Sequence, residues 1–174
     1  MPGSTPTYGF PYQVNSDPPN GPALGQQLAE AVEALFVAKQ PLQGTAVLSS
    51  LYTLTSTITD LPGCSITKSV PRSGAVALLT WTADCVLTVA GSTSLMAVVN
   101  VMIDGVDQAA PQSLWGPGNQ AVQTNTRGTT SGSMTVVLGS SGSHTFKLRA
   151  AASSATGQIK LNAQHTQLTV LILP

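Results

Sequence analysis

Reactive chemistry in this chain has little to draw on: seven carboxylates, two histidines and two cysteines in 174 residues. A glycosidase needs two carboxylates facing each other across a cleft. Asp60 with Asp84 is the conceivable pair, because most of the other acids have structural duties. Asp104 belongs to an Asp-Gly turn, Asp17 precedes Pro18, and Glu30 and Glu33 fall in a helical stretch. Strand-end and loop roles explain Asp60 and Asp84 equally well. Serine is abundant, yet no Gly-x-Ser-x-Gly elbow occurs; Gly139-Ser140-Ser141-Gly142-Ser143 has the wrong spacing and reads as a hairpin loop. His144 and His165 each open a predicted strand. Without a nearby third ligand they make a poor zinc site unless copies meet on a three-fold axis, and solvent-facing strand positions are expected for both. Cys64 and Cys85 fit no metal spacing and no Cys-x-x-Cys motif, so separately buried, reduced thiols are expected. No glycine loop cradles a phosphate and no dinucleotide fingerprint is present. The residues point to no enzyme, no metal and no cofactor.

Aromatic residues offer a second kind of chemistry, because their faces stack on sugars and fill grooves. Trp81 lies in a strongly apolar run and is expected in the core. Trp115 sits in the Pro/Gly-rich segment 109–131, where it is a candidate glycan contact or a packing residue against another subunit. Tyr8, Phe10 and Tyr12 fall within five positions of one another, around Pro11, although aromatic residues make up 5% of the chain.

The elements that would position these side chains follow from the punctuation. Six prolines between Pro2 and Pro22 fix φ and remove donors, so residues 1–22 are expected as an extended or turn-like arm. Pro22 suits a first helical turn, and the stretch 23–40 reads as a helix that ends before Pro41. Leu24, Leu28, Ala31 and Leu35 follow a 4-3-4 spacing, and Val32 and Phe36 widen the stripe. That stripe serves either self-association or docking on a sheet; helix packing between subunits is the reading adopted.

From Gly44 onward the period changes to two. Predicted strands cover Tyr52–Thr59, Ala75–Trp81, Val86–Ala90, Leu95–Ile103, the stretch around Met134–Leu138, His144–Ala150 and about Ile159–Leu173. Asp104-Gly105 predicts a type I′ hairpin with its return strand starting at Val106. Seven or eight strands with turns between them predict a mainly β chain: a jelly-roll-like antiparallel β-sandwich over 44–174, preceded by the extended arm and one α-helix.

Composition bounds the partners. Charged residues make up 8% of the chain against about 25% in an ordinary soluble domain, and formal net charge is zero. Such a chain has no basic footprint for nucleic acid. Apolar runs such as Leu168–Leu173 are too short to span a bilayer, and residues 1–20 lack the basic and apolar regions of a secretion signal. So uncharged a surface is expected to be covered by other subunits.

The run Tyr8-Gly9-Phe10-Pro11-Tyr12, then Asp17, then Leu28-Ala29-Glu30-Ala31-Val32, resembles the N-terminal signature of minor tail and fibre-like virion proteins of tailed phages that infect actinobacteria. "VMIDGV" and "GSHTFKLRAAA" are similar, less specifically, to the β-domain that follows in that family. The resemblance implies a virion structural protein made in the host cytoplasm, a homo-oligomer (usually a trimer), attached to capsid or tail proteins through its arm and helix. Tyr8, Phe10, Pro11 and Tyr12 would bind the partner, and Leu24, Leu28, Val32, Leu35 and Phe36 would join the helices. The shortness of the chain favours a capsid decoration protein as the alternative. A module that adsorbs to host-surface glycan through Trp115 is the second alternative.

Overall fold

Pro22 lacks the amide hydrogen that a first helical turn leaves unpaired, and Pro41 cannot continue a helix. Between them α1 runs Gly21–Lys39, in agreement with the expected 23–40. Gln26 Nε2 donates to Glu30 Oε1 at 2.8 Å, one turn on. Lys39 occupies the last turn, where a cation suits the carbonyl end. The computed structural model describes residues 3–4, 10–12, 21–89, 95–116, 124–153 and 158–174. The chain divides into a first unit, Met1–Gln40 with Pro174, and a second, Pro41–Leu173. In the first unit, ahead of α1, β1 (Gly3–Ser4) and β2 (Pro11–Tyr12) pair antiparallel, Gly3 opposite Tyr12 and Ser4 opposite Pro11. A two-stranded ribbon has only edges, where proline is tolerated.

Among the described residues the second unit holds eleven strands: β3 (Leu42–Val47), β4 (Tyr52–Thr53), β5 (Thr59–Val70), β6 (Ala75–Leu87), β7 (Ala97–Ile103), β8 (Val106–Asp107), β9 (Ser113–Trp115), β10 (Arg127–Leu138), β11 (Gly142–Ala152), β12 (Ile159–Leu161) and β13 (Gln167–Leu173). One sheet is ordered β3-β13-β6-β10, with β12 taking over from β13 beside the end of β6 and β4 beside β12. The other is β5-β11-β7, with β8 and β9 sharing the far edge of β7. The pairing is nested. First strand meets last (β3·β13), second meets next to last (β4·β12), third meets third from last (β5·β11), then β6·β10, then β7 with β8 and β9. All of these pairs are antiparallel, which makes the fold the expected jelly roll.

Alternation of side chains builds the core. Ala77, Leu79, Trp81, Ala83 and Cys85 point inward from β6, Leu168, Val170 and Ile172 from β13, Phe146 and Leu148 from β11, and Val99 and Val101 from β7, all buried. The seams between sheets are stitched by Ser49 N–H to the Pro62 carbonyl, 3.1 Å, and by Thr130 Oγ1 to the Leu114 carbonyl, 3.0 Å. Such links cover edges that would otherwise invite pairing with other chains.

Several boundaries differ from expectation, each for a physical reason. The strand expected over Tyr52–Thr59 is limited to Tyr52–Thr53, and the next begins at Thr59; Tyr52 and Thr59 join through their hydroxyls at 2.8 Å. No strand is predicted over 60–70, yet β5 runs through Pro62-Gly63, where it bulges: its pairing with β11 passes from Ser65 to Asp60 while β11 advances from Lys147 to Arg149. Asp84 does not end a strand either; Ala75–Leu87 is continuous. The single terminal strand expected over 159–173 is two, β12 and β13, with residues 162–166 between them.

β10 starts at Arg127 within the segment expected as loop. Its inward positions Gly128, Thr130 and Gly132 carry no apolar alternation to announce it, because tryptophan rings fill the space. A Cβ on Gly132 would lie 2.3 Å from Trp81 Cζ2, and one on Gly128 1.8 Å from Trp115 Nε1. The Asp104-Gly105 hairpin is present as expected, with φ of 50° and 83°.

Candidate functional site

The arm and helix residues are placed as follows. Phe10 and Pro11 are half-buried and Tyr12 is 47% exposed. Tyr8 and Asp17 lie outside the described residues. Along α1, Leu24, Val32 and Leu35 are half-buried, whereas Leu28 is 40% and Phe36 69% exposed. Neighbouring Val37 is exposed as well. The helix thus carries uncovered apolar side chains on its predicted stripe. Among the described residues no helix is long and apolar enough to cross a membrane.

The reactive candidates are kept apart. Asp60 lies on the outer face of the β5-β11-β7 sheet, paired with Lys147 at 2.7 Å and Arg149 at 2.9 Å. Asp84 lies on the outer face of the other sheet. The two carboxylates therefore face away from each other and share no cleft. Cys64 and Cys85 are free and buried. Burial raises the Cys64 thiol to about 11, and burial with the Asp84 charge pushes Cys85 up to about 12, so both stay protonated. Among the described residues no three histidine, cysteine or acidic side chains gather as a metal set.

His144 is buried rather than solvent-facing. Its Nδ1 meets Asp104 Oδ2 at 2.6 Å and its Nε2 meets the Ser140 carbonyl at 3.1 Å. Both partners are acceptors, so only the doubly protonated imidazolium satisfies both. The Asp104 hydrogen bond raises its pKa, against the opposing effect of burial. The same Asp104 accepts from the Thr145 N–H at 2.7 Å, locking the hairpin onto β11. His165 is exposed on the 162–166 segment. Trp81 is in the core as expected, its Nε1–H donating to Ser113 Oγ at 2.8 Å. Trp115 is half-buried and packs against the core over Gly128. Part of the loop around it, 117–123, lies outside the described residues.

What the structure does assemble is the outer face of the β3-β13-β6-β10 sheet. Register places its side chains in rows across the strands. At one end Val137, Val76 and Leu173 stand side by side, with Leu78 and Leu171 in the next row. Val137 is 65%, Leu173 51%, and Val76 and Leu78 each 38% exposed. The next row is hydroxylic: Ser133, Thr80, Thr169 and Thr45, the last two bonded through Oγ1 at 3.2 Å. No charged side chain stands in these rows.

Charge enters only at the opposite end, around Asp84, whose burial the sequence did not reveal. Between the last β13 partner of β6 (Thr82) and the first β12 partner (Cys85), the segment 162–166 leaves the ladder. Asp84 replaces the missing bonds. Its N–H donates to Thr166 Oγ1 at 3.1 Å and its carbonyl accepts from the Asn162 N–H at 2.9 Å. Its carboxylate accepts from Asn162 Nδ2 at 3.1 Å and from Arg127. A polar group at 10% side-chain exposure needs such partners. Only the folded register brings Arg127 and Asn162 to it.

No protein-family model matches the chain, and no curated protein matches it. Among solved structures it is similar to murine APRIL, with 11% identity over 77% of this chain and 100% of that one, at a TM-score of 0.47. It is similar to Eiger TNF from S. frugiperda, with 8% identity over 78% of this chain and 94% of the other, TM-score 0.43. It is also similar to the infectious bursal disease virus Gt strain structure, with 14% identity over 77% of this chain and 33% of that one, TM-score 0.41. At these identities the likeness is one of fold.

Proposed function

We propose that the chain is a structural protein of a tailed-phage virion: a self-associating, trimeric fibre-like or minor tail subunit joined to the particle by residues 1–22. The observation that carries this reading is the uncharged outer sheet face with Val76, Leu78, Val137 and Leu173 uncovered. Such a face is stable in water only at a cost that a second protein surface removes. Leu28, Phe36 and Val37 on α1 add a further apolar contact. The N-terminal resemblance names the kind of assembly, and the low charge of the chain suits a subunit whose surface is covered by others.

Sedimentation equilibrium of the whole chain, with antibody labelling of purified particles, tests the proposal. A trimer in solution and label at the tail are the expected results, with both incorporation and label lost on deletion of residues 1–22. Label over the whole head replaces tail attachment by capsid decoration. A monomer that labels no particle overturns the proposal.

A further inference from the structure

We propose that the Asp84 end of the same sheet face is a binding site for a neutral, polyhydroxylated ligand, a sugar residue. It is an open depression of about 600 Å³, within the size range of small-molecule sites, about 300–1,000 Å³. Thr82 and Asp84 of β6 form its floor, β10 at Arg127–Thr129 one wall, and Gln164, His165 and Gln167 the other.

Three observations carry the inference. The second wall is built rather than loose. Besides the three bonds that tie Asp84 to Asn162 and Thr166, Thr82 Oγ1 donates to the His165 carbonyl at 3.4 Å, holding the segment over the floor. Gln164 is held there at φ 67°. A side-chain-bearing residue rarely adopts that conformation, and such strain persists where the surroundings over-determine it, often at binding sites. Finally, the chemistry of the lining selects the ligand. The Asp84 carboxylate, buried to 10% side-chain exposure, is paired with the Arg127 guanidinium, so the two charges offset each other. What remains are amides, two threonine hydroxyls and an imidazole, groups that both donate and accept. Sugar hydroxyls, which also do both, match this set. Trp115 takes no direct part: its ring lies against the inward side of Gly128, beneath the wall.

The test is a ¹H–¹⁵N NMR titration of the whole chain. The probes are D-glucose, D-galactose, D-mannose and N-acetyl-D-glucosamine, with sodium phosphate as the ionic control. At least one sugar is expected to give saturable shifts confined to residues 82–84, 127–129 and 164–167, with a dissociation constant on the order of millimolar for so small a ligand. Gln164→Ala combined with Gln167→Ala should weaken binding about tenfold or more with little change of melting temperature, since Gln164 is exposed and Gln167 half-buried on the outer face of β13. Arg127→Gln should weaken binding as well, at a lower melting temperature because the buried Asp84 carboxylate loses its partner, and the double variant decides if it does not fold. Three outcomes overturn the proposal: no sugar moving these amides, unchanged affinity in the double variant, or response to phosphate alone.

Discussion

Replacing Gly132 with alanine tests the packing logic of the sandwich most directly. The added Cβ would lie 2.3 Å from Trp81 Cζ2 and 2.6 Å from Cε2, whereas carbon atoms rest at about 3.5–4.0 Å. The ring must therefore retreat by more than about 1 Å. It has nowhere to go: Trp81 is 2% exposed, and its Nε1–H is committed to Ser113, itself buried. Overpacking of this kind costs about 1–3 kcal/mol, and straining the indole hydrogen bond adds up to about 1 kcal/mol. Reduced freedom of the unfolded chain returns at most about 1 kcal/mol. The net expectation is a loss of about 1–3 kcal/mol, which for a chain of this length lowers the melting temperature by about 2–4 °C per kcal/mol. Urea unfolding followed by tryptophan fluorescence should show a lower midpoint at constant slope. Gly128→Ala is the control. Its Cβ would come closer still, 1.8 Å from Trp115 Nε1, but that ring is half-exposed and can swing outward, with a red-shifted emission. The reasoning fails if Gly132→Ala is as stable as the parent, or if Gly128→Ala is the more damaging of the two.

Other perturbations separate the remaining roles. The pKa of His144 is raised by Asp104, so the folded state holds the proton more tightly than the unfolded chain. Its contribution is fully present below the unfolded value of about 6.5 and declines as pH rises through the higher folded value. Melting temperature measured across that window should fall with rising pH, and Asp104→Asn should flatten the profile. Asp84→Ala strands Arg127 and Asn162 and frees 162–166, with an expected loss of about 1–3 kcal/mol; hydrogen exchange should speed up first in that segment, and uniform acceleration would refute its role as a pin. Val137→Asp lies at 65% exposure, so stability should change by no more than about 0.5 kcal/mol. Sedimentation should nonetheless show a weaker oligomer, and an unchanged one would move the subunit contact off the sheet face.

Features written in neighbouring residues were legible in the sequence. Pro22 and Pro41 bracket α1, Asp104-Gly105 makes its hairpin, and Phe146 and Leu148 alternate with Lys147 and Arg149 as an inward and an outward row. What escaped depends on partners distant in the chain. Asp84 resembles a strand terminator until Arg127 and Asn162 are placed beside it. His144 looks exposed until the turn bearing Asp104 folds over it. Arg127–Ser133 lacks the signature of a strand because Trp81 and Trp115, from other strands, supply the bulk that its glycines leave out. The Asp84 depression belongs to the same class: its walls come from β10 and from 162–167, and no single stretch contains it.

The nested pairing has a consequence for how the chain comes into being. Thr45 and Thr169 touch across 124 residues of sequence, so β3 has no sheet neighbour until β13 exists. At about 5–20 residues per second, synthesis separates the two by roughly 6–25 s. A helix of local contacts such as α1 can form within microseconds of emerging. Each nascent chain therefore displays its helix while its sandwich is still open, with β6 bare along the edge reserved for β13. Neighbouring chains on one message would meet through α1 before any of them had closed. A translation stop ahead of Gln167 would leave β3 and β6 without the strand they share.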